Sequence, residues 1–149
     1  MNSAPHRKVQ VWIFSRDKAG NPRCLLLKTN AARGAFWQPV TGTVEDGESF
    51  DAAAGREAAE ETGFPFGAAP ADAGYEFEFA SRFGPALERT YALEVAGETV
   101  PKLDPKEHDA HRWVTPAEAL ALVRHPSNAE GLRKAYKLVF GRELGETKT

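Results

Sequence analysis

The 149-residue chain contains one cysteine, no apolar run close to the ~18 residues that a membrane span requires, and no block of five or more basic residues. The lone Cys24 excludes an internal disulfide. Its place in the run Cys24-Leu25-Leu26-Leu27 predicts a buried thiol that packs as a small apolar group and does not react. Met1–Lys8 is basic but lacks the apolar core of a signal peptide, so the expected location is the cytoplasm and no membrane contact is expected. With a net charge of −2 and no basic block, a nucleic-acid-binding surface is not expected either. A small polyanion is still admissible as a substrate, because bound cations supply positive charge locally.

What is present fits a globular chain. At 42% hydrophobic and 27% charged residues, residues 1–149 should form one domain that buries about two-thirds of its unfolded surface. Nothing in the sequence decides between a monomer and a homodimer. Val9, Val11 and Ile13 alternate with Gln10 and Trp12, which predicts a strand over 8–16. The turn Asp17–Pro22 then returns the chain as a second strand over 23–28, in an antiparallel hairpin. Residues 29–35 read as a loop, Phe36–Val40 as short and β-prone, and 67–74 as a surface loop. Further strands are predicted at 75–80, 88–95 and 111–114.

Three helices are placed by their caps. Ser49 precedes a helix over 50–62 that Gly63 ends, and Thr115, Pro116 and Glu118 compose a capping box for the next. Ser127 and Glu130 repeat that pattern before a helix over 131–140, with Leu132, Tyr136, Val139 and Phe140 as its apolar stripe. Strands and helices without a βαβ rhythm predict an α/β fold of the α+β type, an α/β/α sandwich around a mixed central sheet.

The chemistry lies in residues 42–64. Glu57, Glu60 and Glu61 fall at i, i+3 and i+4, which gathers three carboxylates on one helical face. Like charges at that spacing destabilise a helix by a few tenths of a kcal/mol per pair, so a compensating cation is expected. Carboxylate and water ligands suit Mg²⁺ or Mn²⁺. Arg56 can reach Glu60 one turn on and Glu48 just before the helix, holding carboxylates with a planar fork that lysine lacks. Gly42 should let backbone carbonyls approach a metal or phosphate, and Gly47 should permit a tight turn. Gly55 costs the helix roughly 1 kcal/mol relative to alanine, which suggests a neighbouring element pressed against it.

Together Gly42, Glu48, Arg56, Glu57, Glu60, Glu61 and Gly63 match all seven letter-specified positions of the pattern G-x5-E-x7-R-E-U-x-E-E-x-G-U, with U apolar. Chance produces such a match roughly once in ~10⁸ windows. On this motif the chain resembles the Nudix hydrolases along nearly its whole length. The resemblance implies water attack on a phosphoanhydride bond of a nucleoside-diphosphate-linked substrate. It assigns the metal to Glu57, Glu60 and Glu61, with the Gly42 carbonyl, and the catalytic set to Glu57, Glu61, Arg56 and Glu48.

The flanks Phe36-Trp37-Gln38-Pro39-Val40-Thr41-Gly42 and Glu107-His108-Asp109-Ala110-His111-Arg112-Trp113 are similar to those of bacterial dihydroneopterin triphosphate pyrophosphohydrolases. That likeness implies a further metal ligand in Glu107 and a substrate of the dihydroneopterin triphosphate or (d)NTP type. Dinucleoside polyphosphates and nucleotide sugars are the alternatives, as is a non-catalytic module that senses a nucleotide. Trp37 and Gln38 are candidates to stack on and read a ring, and Arg7 and Lys28 to meet phosphates.

Overall fold

In the computed structural model, which describes residues 6–64 and 69–145, the predicted hairpin pairs β1 (His6–Arg16) antiparallel with β2 (Pro22–Thr29). β1 is the hub of the sheet. One of its sides runs parallel to β6 (Gly84–Glu94), from His6 opposite Ala86 to Phe14 opposite Glu94. Its other side is shared, with β4 (Val40–Thr43) along the first half and β2 along the second. β5 (Ala71–Ser81) lies outside β6, while β3 (Trp37–Gln38) and β7 (His108–Val114) both pair with β2. The β1–β6 pair is parallel and the others are antiparallel, so the seven-stranded sheet is mixed, as expected.

Helices cover both faces. α1 (Phe50–Thr62) packs Ala53, Ala54 and Ala58 on Val9, Val11, Ile13, Leu25 and Leu27. α2 (Pro116–Leu122) and α3 (Pro126–Phe140) cover Trp12, Phe14, Cys24 and Leu26. Two covered faces explain why Gln10 and Trp12 are as fully buried as the alternating valines between them. Cys24 is buried and its thiol is pushed up to about 12, chiefly by loss of solvent, which matches the inert role read from the sequence. Among the described residues no helix is long and apolar enough to cross a membrane.

Most caps form as read. Ser49 accepts from the Ala52 N–H, Gly63 takes a left-handed φ of 71°, and Thr115 and Glu118 exchange both bonds of the capping box. α3 departs from expectation. It starts at Pro126, whose fixed φ suits the first helical position, so Ser127 lies inside the first turn and the Ser127–Glu130 box does not form. The loop over 67–74 is also shorter than read, because Ala71–Gly74 already belong to β5, while residues 67 and 68 lie outside the described residues. A left-handed Gly74 sits where the β5–β6 register shifts between Asp72 and Glu76. The expectation for Gly55 is not met among the described residues, where a methyl group would meet only Pro70, at an ordinary 3.8 Å.

The glycine with no room for a side chain on α3 is Gly131. A Cβ there would lie 2.3 Å from Gln10 Oε1. Gln10 in turn accepts from Trp12 Nε1 at 2.7 Å and donates to Glu88 Oε2 at 2.9 Å, all within the interior. Gly131→Ala must displace this amide, and a loss of about 1–3 kcal/mol is expected from overpacking. Chemical denaturation checks it; unchanged stability would mean that α3 can move off the sheet without penalty.

Candidate active site

The three glutamates of α1 sit at three depths. Glu60 is 60% exposed at its side chain, Glu57 14% and Glu61 3%. Gly42 on β4 makes the middle one possible, because a Cβ at that position would lie 2.1 Å from the Glu57 carboxyl carbon. The glycine's primary work is therefore to leave space for a side chain.

Arg56 organises the outer carboxylates. Its Nε and Nη2 donate to the two oxygens of Glu48 at 2.8 and 2.9 Å, and Nη1 donates to Glu57 at 2.8 Å and to Glu60 at 3.2 Å. Nη2 also donates to the Thr43 carbonyl at 2.9 Å. The Arg56 fork, aided by the Glu45 N–H, holds the Glu48 carboxyl down at about 2. Gly47, at φ 78°, turns the preceding loop, and Arg7 clasps it by donating to the carbonyls of Glu45 and Glu48. The Arg7 guanidinium also lies over the Phe50 ring at 5.4 Å.

Glu61 has a different environment. Both of its oxygens are cut off from solvent and neither has a hydrogen-bond partner among the described residues. Burial first, then the neighbouring Glu57 and Glu107 charges, raise its carboxyl far above the ordinary range. The Thr41 N–H lies near enough to oppose that shift without being aligned to bond. His108 Nε2 stands 3.9 Å from Glu61 Oε1 and 3.1 Å from Gln38 Nε2. Burial lowers the basicity of His108, which favours its neutral form, and in the tautomer with Nε2 unprotonated that nitrogen accepts from the Gln38 amide. Glu107 hangs from the residue before β7, with its carbonyl held by the Asn30 N–H at 3.0 Å and its carboxylate 3.6 Å from Arg33.

Among the described residues, no three His, Cys, Asp or Glu side chains are gathered at metal-holding distance. Glu57 and Glu60 turn to Arg56 and Glu107 turns to Arg33. The donor chemistry nevertheless suits a hard divalent cation: the set is all oxygen, and the Glu61 carboxyl is buried without partners beside Glu57. A cation there would satisfy the group that the fold leaves unsatisfied.

Beyond Gln38 and Thr41 opens a cavity of about 450 Å³, on the sheet face that α3 covers. Phe36, Phe77, Phe79 and His125 form its apolar and aromatic walls, and Lys8, Glu88 and Asn128 are among its polar groups. Of the ring and phosphate contacts read from the sequence, Gln38 lines this cavity and Arg7, Lys28 and Trp37 do not. Trp37 packs on the core below α2 and α3, with Arg112 over its ring at 5.7 Å, and Lys28 lies between Trp37 and Ala110 in the sheet. Arg7 is committed to the loop carbonyls.

Sequence reasoning missed Glu88 and the part played by His108. The signal for Glu88 was a charge at the same parity as Thr90 and Ala92, on a strand with both faces covered.

A family model described as NUDIX domain matches residues 4–138. Over 135 residues the chain is 35% identical to the octanoyltransferase of Myxococcus xanthus, which covers 89% of this chain and 36% of that protein. It thus spans about a third of that relative's length. Among solved structures, the E. coli dihydroneopterin triphosphate pyrophosphohydrolase aligns with a TM-score of 0.74 at 26% identity, covering 94% of this chain and all of that one (100%). The C. elegans Ap4A hydrolase aligns with a TM-score of 0.78 at 20% identity over 92% and 99% of the two chains. The NUDIX domain of Shewanella oneidensis NrtR, solved with ADP ribose, aligns with a TM-score of 0.73 at 14% identity over 93% and 90%.

Proposed function

This chain belongs to the Nudix family, and we propose that it is a hydrolase that cleaves a phosphoanhydride bond of a nucleoside-diphosphate-linked substrate, with Mg²⁺ or Mn²⁺ as cofactor. The observation that carries this reading is the buried Glu61 carboxyl, beside Glu57 and without a hydrogen-bond partner among the described residues, 3.9 Å from a His108 ring that bonds Gln38 on the wall of an aromatic cavity. Glu57, Glu60 and Glu61 hold the cation, with the Gly42 carbonyl and Glu107 as further oxygen donors. When bound, the cation neutralises phosphate charge and lowers the pKa of a coordinated water.

The chain's own residues do the rest. Glu57 and Glu61 provide the carboxylates that receive the water's proton. Arg56 and Glu48 are positioning residues, since they fix the orientation of Glu57 through a chain of charge-assisted bonds. Gln38 and His108 link Glu61 to the cavity wall.

Within the class, a dihydroneopterin triphosphate-like or (d)NTP-like substrate is favoured by the shared flanks and by 26% identity along the full E. coli enzyme. A dinucleoside polyphosphate or nucleotide sugar is the second reading, favoured by the likeness to the Ap4A hydrolase. The octanoyltransferase likeness covers 36% of that protein, so acyl transfer is not carried over to this chain. The domain is proposed to act in the cytoplasm, as a monomer or homodimer, on a small nucleotide-like molecule and not on nucleic acid or a membrane.

Incubation with Mg²⁺ and a panel of nucleoside triphosphates, dihydroneopterin triphosphate, dinucleoside polyphosphates and nucleotide sugars tests the proposal. Phosphate or pyrophosphate release from some of them is expected, and none once the metal is chelated. Tight, metal-dependent binding with no product over hours would establish the sensing module instead.

A further inference from the structure

The cavity beside the carboxylates contains a buried carboxyl that the proposed hydrolysis does not use. Glu88 is only 6% exposed. It stands directly across from Phe77 in the β5–β6 ladder, so its side chain and the Phe77 ring share the sheet face that forms the cavity floor. Phe77 and Phe79 lie with ring centroids 5.7 Å apart and make an apolar bed, and Phe36 closes another side. One Glu88 oxygen accepts from Gln10 Nε2 at 2.9 Å, and among the described residues the other has no hydrogen-bond partner. Asn128, likewise 6% exposed, faces the cavity from the first turn of α3, and its side-chain amide makes no hydrogen bond among the described residues.

A buried acceptor left half-satisfied above a bed of phenylalanines is the arrangement for gripping a flat polar ring by its edge while its face is stacked. A carboxylate with a free oxygen and spare lone pairs accepts two parallel N–H groups. We propose that the cavity seats the substrate's heterocycle and that Glu88 selects a ring bearing an N–H next to an exocyclic amino group, the 2-amino-4-oxopyrimidine edge common to guanine and the pterins. Asn128 donates to the ring carbonyl on the same edge. The Glu88 carboxyl is raised by burial, with Lys8 and the Gln10 amide opposing, which fits an acceptor that still needs a donor. The inference deepens the proposed function and rests on the same site being the substrate's.

Binding without metal separates the two ideas, because it requires no turnover. Titrations of GMP, IMP, UMP and neopterin into the metal-free protein should show GMP and neopterin held about tenfold to a hundredfold more tightly than IMP and UMP. IMP lacks only the amino group. The GMP and neopterin arms distinguish a nucleoside from a pterin as the natural source of the edge. Glu88→Gln should erase most of the preference and leave IMP and UMP nearly unchanged, while Phe77→Ala should weaken all four alike and keep the order. Equal affinity of the wild-type protein for GMP and IMP overturns the proposal, as does a uniform loss in Glu88→Gln. If that variant does not fold, the wild-type comparison decides alone. A clear ring preference in a protein that hydrolyses nothing would sink the hydrolase reading and leave this one standing.

Discussion

Glu61→Gln will leave the metal-free protein harder to unfold and almost devoid of turnover. The carboxyl is buried, has no hydrogen-bond partner for either oxygen among the described residues, and is raised far above its ordinary 4.5 by loss of solvent and by Glu57. A carboxyl that titrates higher in the folded state holds a proton there after the unfolded chain has released it. Its contribution is therefore fully present below about pH 4.5 and declines as pH rises towards the folded value, by up to about 1.4 kcal/mol per pH unit. Glutamine has no such slope. Metal-free unfolding curves from pH 5 to 8 should show wild-type stability falling more steeply than the variant's, whose remaining slope comes from groups such as the raised Glu88 carboxyl, and excess Mg²⁺ should make the wild-type slope shallower. Turnover should drop by about a thousandfold, the rate equivalent of the several kcal/mol a well-held cation supplies at the reacting phosphate. A variant with the wild-type pH slope, or with wild-type turnover, would remove Glu61 from the role assigned to it.

Arg56→Lys should also damage activity, by a smaller factor, although it conserves charge. Arg56 engages Glu48, Glu57, Glu60 and the Thr43 carbonyl from three different nitrogens. An ammonium has three donors on one atom and cannot span that set. Glu57 would lose the contact that fixes its orientation, and Glu48 the fork that keeps it ionised down to about 2. Loss of an outer partner of this kind lowers metal affinity or activity by about 10–100-fold. Steady-state rates across a Mg²⁺ titration make the test: the variant should need more Mg²⁺ and recover part of its rate when given it. A lowered rate with an unchanged Mg²⁺ requirement would mean that Arg56 acts on the substrate directly.

The parts of the site that follow from local rules were legible. Helix caps at Ser49, Gly63 and Thr115 depend on a few neighbouring residues, the reach of Arg56 to Glu60 follows from helical spacing, and Glu48 lies only just before the same helix. Rules that depend on remote packing were not legible. Nothing local shows that Gly42 makes room for Glu57, that a methyl at Gly55 would meet Pro70 at ordinary contact distance, or that Gly131 fits against Gln10, because each neighbour comes from a distant stretch of chain. Strand alternation misleads for the same reason. Alternate residues of β6 are buried on both faces of the sheet, Tyr91 with the α1 cluster and Ala92 with the α2 and α3 cluster, and Glu88 and Thr90 are buried along with them. The early start of α3 was signalled by Pro126, which outweighed the Ser127–Glu130 pattern beside it.

Gln10 has a consequence for how this protein could change over time. Its one amide joins the core through Trp12, the cavity through Glu88 and the close packing of α3 through Gly131. Substrate choice and structural integrity thus share a component, and neither Gln10 nor Glu88 can be altered for one without disturbing the other. Divergence towards a new ring has an easier route through Phe77, Phe79 and Asn128, which line the same cavity outside that amide's hydrogen bonds. The glutamates of α1 stand on the opposite face of the sheet, so the bond-breaking apparatus can pass unchanged through descendants that differ in what they recognise.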